Sequence, residues 1–217
     1  IYGSYSGGIF VKEMDAETGM PLESGYGEKL LGGNHLRIEA PYVIYNEETG
    51  YYYMFLSFGG LDSDGGYNIR VCRSENPNGP YVDSMGQDMK DCKGPAGSAF
   101  SDATAELYGT KLMGGYKFTW KEGEEGKDRK GYLSPGHNSC LYQEETGKYF
   151  IIYHTRFENS GETHEVRVHQ MFFNEEGWPV IAPYRYTEES AEKLESKQLV
   201  GTYKYINHGR DISPDMK

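Results

Sequence analysis

Apolar and polar positions along the chain fall into short runs separated by turns. Residues 40–45 (APYVIY) and 51–58 (YYYMFLSF) are apolar and aromatic, and between them lies Asn46-Glu47-Glu48-Thr49-Gly50. Asn and Gly favour the backbone conformations a tight turn requires, so this pattern predicts a hairpin. A third strand is predicted at 67–73, ending in Asn76-Pro77-Asn78-Gly79. Residues 1–15 read as the end of one strand, a glycine turn at Gly7-Gly8 and a second strand, followed by a Gly- and Pro-punctuated loop over 16–33. The stretch 83–131 is glycine-rich and charged, with at most a short helix near 102–107. Long connections of this kind inside compact domains tend to be functional loops.

From residue 134 the pattern returns. Tyr45 to Tyr53 (YNEETGYYY) is matched by Tyr142 to Phe150 (YQEETGKYF), 97 positions on, and Ile69-Arg70-Val71 is matched by Val166-Arg167-Val168 at the same offset. A partial copy, Ser4-Tyr5-Ser6-Gly7-Gly8, resembles the segment Ser57-Phe58-Gly59-Gly60. Repeated units of short antiparallel strands that cannot bury both faces alone predict an all-β fold, a β-propeller. An antiparallel sandwich with one duplicated hairpin is the alternative. Past Trp178-Pro179-Val180 the pattern stops. Residues 187–200 read as a charged, helix-tolerant linker, and 201–217 as the opening strand of a further domain.

Composition narrows the function classes. Twenty Tyr and 29 Gly agree with many short strands and tight turns. A net charge of -11 leaves no basic stripe for a phosphate backbone, which argues against a nucleic-acid partner. No apolar run approaches the roughly 18 residues of a membrane-spanning helix. Cys72, Cys92 and Cys140 match no metal-binding spacing and imply no disulfide framework.

Candidate chemistry centres on Glu39, which sits between Ile38 and Ala40 where a strand begins. Moved by the repeat offset, this position lands on Gly136, beside His137, so two repeats would aim residues at one axis. Glycoside hydrolysis uses two carboxyl groups, one of them protonated to assist the leaving oxygen. Apolar neighbours and a nearby carboxylate would raise the pKa of Glu39 toward that acid role. The competing reading is an ion pair between Glu39 and Arg37 or another base. For His137 the competing reading is a hydrogen-bonded turn residue, while His154, His164 and His169 read as structural. The tyrosine runs read as packing, and Phe58 as an exposed ring able to stack on a sugar.

Five blocks in order, YGSYSGGIF (2–10), GGNHLRIEAPY (32–42), SFGGLDSDGGYNIRV (57–71), SPGHNS (134–139) and HEVRVHQMFFNEEGWPV (164–180), resemble the endo-arabinanases of glycoside hydrolase family 43. The tail INHGRDIS resembles the start of the extra C-terminal β-domain of larger members. The resemblance implies a five-bladed β-propeller, here only its C-terminal blades (1–186), then the linker 187–200 and the start of a C-terminal β-domain (201–217). It implies hydrolysis of α-1,5-linked arabinan or arabino-oligosaccharide with inversion, by an Asp base, a second Asp that tunes the acid, and a Glu acid. Glu39 is the counterpart of the acid; both aspartates would lie upstream of Ile1, in a missing N-terminal propeller segment. The resemblance further implies a calcium ion contacted by His137 and hydrated by water, sugar contacts from Ser4, Tyr5 and Ser6, and an extracellular or cell-surface bacterial location. An exo-acting arabinosidase or xylosidase of the same fold, and a non-catalytic sugar-binding propeller, are the alternatives.

Overall fold

A computed structural model describes residues 1–120, 130–188 and 190–217. The fold is all-β, three antiparallel sheets in chain order. The first contains β1 (Tyr2–Gly3), β2 (Ile9–Val11) and β3 (Glu28–Leu31). The second runs in order through β4 (Ile38–Asn46), β5 (Tyr51–Phe58), β6 (Asn68–Ser74) and β7 (Thr110–Met113). The third runs through β8 (Tyr132–Gln143), β9 (Lys148–Phe157), β10 (His164–Phe173) and β11 (Pro179–Ile181). The hairpin turns form as expected, with Gly50 and Gly147 both in the left-handed region (φ 73° and 66°).

The middle sheet is covered on both sides, and β5 shows how. Met54, Leu56 and Phe58 point into a core shared with Ile9, Leu31 and Ile38. Tyr53 and Phe55, with Ile69 and Val71 of β6, point into a second core with Tyr132, Ile151 and Tyr153 of the third sheet. A strand's side chains alternate faces, so two apolar neighbours leave no polar face, which is why β5 reads as a continuous apolar run. Burying each such side chain stabilises the fold by about 1.5–3 kcal/mol. Cross-links reinforce the second and third sheets at their outer side. Tyr53 donates to the carbonyl of Gly177, and the Arg73 guanidinium lies 4.3 Å from the Tyr51 ring and 4.2 Å from that of Trp178.

The long connection carries more structure than its composition suggests. Within 83–120 lie a 3-10 turn at Met89–Asp91, the short helix α1 (Asp102–Ala105) and β7, which completes the second sheet; the rest of the connection, 121–129, lies outside the described residues. In the expected linker a second 3-10 turn spans Ser196–Leu199.

The tail 201–217 forms no strand, contrary to expectation. It lies extended against the middle sheet, held by groups that need partners. Arg70, wholly buried, donates to the carbonyls of Glu106, Tyr108 and Arg210. Lys111 Nζ donates to the carbonyls of His208 (2.9 Å) and Asp211 (2.7 Å). Ile212 and Ser213 pass against Gly59 and Gly66, where a Cβ on either glycine would come within 3.0 Å of them.

Candidate active site

The repeat seen in sequence is also a repeat of distortion. In β4 the register with β5 breaks between Glu39 and Tyr42; in β8 the register with β9 breaks between Gly136 and Ser139, the same positions displaced by 97. Each bulge contains one non-glycine residue in the left-handed region, Ala40 (φ 53°) and His137 (φ 51°), again equivalent. A left-handed alanine costs on the order of 1 kcal/mol, so the surrounding sheet holds the kink in place. A bulge bends the strand and re-aims the flanking side chains. The two bent strands are neighbours, and Glu39 and His137 meet between them.

The carboxylate and the imidazole approach to 4.0 Å (Oε1 to Nδ1), with Glu39 largely covered and His137 62% exposed. The backbone N–H of His137 donates to the buried Ser57 hydroxyl at 2.7 Å, which fixes β8 against β5. Tyr67, immediately before β6, donates its hydroxyl to Glu39 Oε1 at 2.5 Å. Its ring crosses Gly136 so closely that a Cβ there would stand 2.1 Å from the ring. On its other neighbouring ring, His154, it stacks at 6.0 Å and 18°. Burial, then the Glu39 carboxylate, pushes the Tyr67 hydroxyl far above the ordinary phenol range, so it stays a donor.

His154 lies between Tyr67, His137 (6.2 Å) and His164 (5.1 Å). Burial first, then Arg156 and the two other imidazoles, lowers its pKa to about 4, so the ring is neutral near pH 7. Its structural reading therefore places it inside the site as a packing partner of Tyr67. His169 is buried, its Nδ1 2.7 Å from the Ala182 carbonyl, and is structural as expected.

Arg37 does not pair with Glu39. Its Nε donates to Asp102 Oδ1 at 3.1 Å and its terminal nitrogen to Oδ2, with Asp102 at the start of α1. Tyr5 joins this corner: burial, then the charges of Glu39, Arg37 and Asp102, act on its hydroxyl, and the net shift is upward. Tyr5 is 40% exposed and Ser4 is exposed in the left-handed region (φ 92°). Ser6 is bound to His35, Oγ to Nδ1 at 2.6 Å. Of the Ser4-Tyr5-Ser6 segment, Tyr5 is the residue that feels the Glu39 charge.

Phe58 is a correction. It is fully buried, its ring is covered by the Arg70 guanidinium at 4.9 Å, and it packs against Met54 and Leu56 in the first core. A sugar has no access to it. As for calcium, no group of three potential His, Cys, Asp or Glu ligands occurs among the described residues. Calcium takes six to eight oxygen ligands, and His137 presents an exposed imidazole nitrogen, so the described residues do not by themselves form a calcium cage.

Sequence reasoning missed Tyr67, Ser57 and Gly136 as parts of the site. Gly136 carried a signal: it stands where the repeat predicts a functional side chain, and its lack of one is what admits the tyrosine.

The chain belongs to glycoside hydrolase family 43. It is 55% identical to a solved family 43 glycoside hydrolase from Bacillus licheniformis, with a TM-score of 0.92 over 99% of this chain and 47% of that one. Over its whole length it is 58% identical to the extracellular endo-α-(1→5)-L-arabinanase 2 of Bacillus subtilis (strain 168), covering 46% of that protein. It is 50% identical to the solved endo-1,5-α-L-arabinanase of Thermotoga petrophila, with a TM-score of 0.90 over all of this chain and 47% of that one. No family model matches the chain. The chain therefore spans about half the length of the curated relatives it matches.

Proposed function

We propose that this chain is the C-terminal part of the catalytic propeller of an extracellular arabinan-cleaving enzyme, with Glu39 as its general acid. The three sheets are read as blades of a five-bladed propeller with β4 and β8 facing the axis, and 201–217 as the start of a further β-domain. The observation that carries the reading is the convergence of two equivalent bulges on one spot, where a largely covered carboxylate is gripped by a tyrosine hydroxyl and faces an imidazole. The names of the relatives support arabinan or arabino-oligosaccharide as substrate and an extracellular location.

In this reading Glu39 donates its proton to the glycosidic oxygen as the bond from that oxygen to the anomeric carbon breaks. A water adds to the anomeric carbon from the opposite face and gives its proton to a carboxylate base, which inverts the configuration. Asp102 is engaged by Arg37, and the base and a second, acid-tuning Asp are assigned, on the family resemblance, to polypeptide outside these 217 residues. Ser4, Tyr5 and Ser6 border the sugar path. Among the described residues His137 is the one that would touch a hydrated calcium ion bound beside Glu39.

Glu39→Gln in the full-length protein tests the reading on linear α-1,5-arabinan. Loss of the acid is expected to lower kcat by about 10²-fold or more, with arabino-oligosaccharide binding retained. Undiminished hydrolysis would refute it, as would full hydrolysis by residues 1–217 alone.

A further inference from the structure

The hydroxyl of Tyr67 donates to the Glu39 carboxylate, and the rest of the tyrosine is built to deliver it. Tyr67 is 1% exposed. It reaches Glu39 from a different strand of the same sheet, by passing over Gly136 of the next sheet, with His154 stacked beside it. The three residues that define its path, Glu39, Gly136 and His154, thus come from β4, β8 and β9, so its position is fixed by the packing of two sheets.

We propose that Tyr67 is the positioning residue for the acid, and that Gly136 is the gap that lets it in. The inference rests on the reading of Glu39 as proton donor. A carboxylic acid carries its proton on one oxygen. With the Tyr67 O–H directed at Oε1 at 2.5 Å, that oxygen is occupied as an acceptor, and the transferable proton is confined to Oε2. Tyr67 thereby selects the donating oxygen and stops the carboxyl from rotating about its last bond. A positioned donor contributes to proton transfer only in this geometry.

The consequence is specific to the leaving group. A sugar alkoxide leaves only with a proton, so arabinan cleavage depends on the orientation of the acid. A nitrophenolate leaves without one. Tyr67→Phe removes the hydroxyl and keeps the ring in its slot. In the full-length enzyme it is expected to lower kcat on linear arabinan about tenfold, the size of one hydrogen bond's net contribution. On a 4-nitrophenyl arabino-oligosaccharide kcat should change less than about twofold, since no proton is needed, and KM should hold for both. Gly136→Ala pushes the ring aside and is expected to give the same leaving-group bias; near-ultraviolet circular dichroism and the thermal midpoint report whether that variant is folded.

Equal losses on both substrates, or no loss on arabinan, for Tyr67→Phe would overturn the role of Tyr67. Glu39→Gln measured beside it separates the two levels. If Glu39→Gln abolishes arabinan cleavage while Tyr67→Phe shows no bias, only the positioning role falls. If Glu39→Gln is fully active, the acid assignment and this inference fall together.

Discussion

Arg70→Ala is expected to be among the most destabilising single changes in the chain. The guanidinium is wholly buried at the centre of β6, with Asn68 Oδ1 at 2.8 Å and the Tyr108 and Glu106 carbonyls at 2.7 Å and 3.1 Å, and it also donates to the Arg210 carbonyl. No carboxylate lies in hydrogen-bond contact with it among these partners; the charge is dispersed over carbonyl dipoles. Burial pushes its pKa down to about 10, still high enough to keep it charged at neutral pH. Removal strands three backbone carbonyls and one amide oxygen. Each unsatisfied buried acceptor costs about 1–3 kcal/mol; with water entering the space left by the side chain, the low end applies, and a total of about 3–5 kcal/mol follows. Arg70→Lys, a single point donor that cannot span three carbonyls, should recover only about a third of that. The assay is the urea midpoint followed by tryptophan fluorescence, alongside chymotryptic cleavage at the exposed Tyr203 and Tyr205. A loss below about 1 kcal/mol with an equally protected tail would refute the argument that this residue ties the tail to the sheet.

Two further outcomes are expected. Burial, with Lys111 and Lys217 nearby, lowers the His208 pKa to about 4, against its ordinary 6.5, and its Nδ1 accepts the Gly114 N–H at 3.3 Å; because the docked tail disfavours the protonated ring, the stability this neutral ring contributes is complete above pH 6.5 and is lost as pH falls toward 4. Protection factors for amide exchange across 204–217, which divide out the intrinsic pH dependence, should therefore fall between pH 6.5 and 4, and His208→Asn should flatten that dependence. Asp102→Ala frees Arg37 beside Tyr5 and Glu39, so arabinan cleavage should fall about tenfold, and Arg37→Met in the same background should restore most of it; a double mutant no better than Asp102→Ala would show that the ion pair does not act by keeping Arg37 off the acid.

The hairpins and their duplication were legible because the information is local: an Asn or Gln, two acids, a Thr and a Gly mark each turn, and the apolar runs around them have the length of strands. The kink at Glu39 was legible only as an oddity, a carboxylate between Ile38 and Ala40 ahead of Pro41. β7 was not legible, since Thr110–Met113 is a four-residue edge strand between glycines with no alternation of its own. Phe58 was misread for a related reason. Exposure on a central strand depends on what covers each face, and the group covering Phe58, Arg70, lies on the neighbouring strand with its charge turned inward. The tail's path was equally hidden, because its partners Arg70 and Lys111 are distant in sequence and look like ordinary surface cations.

The twin bulges have a consequence for how such a chain can change. The backbone bends at 40 and at 137 are equivalent, while the residue just ahead of each differs, a carboxylate in one copy and a glycine in the other. Because the Tyr67 ring fills the space a side chain at 136 would need, the two copies are not interchangeable. A second acid cannot be grafted at 136 without evicting the ring that steadies the first, so the asymmetry of the pair is a condition of the site and restoring full symmetry would dismantle it.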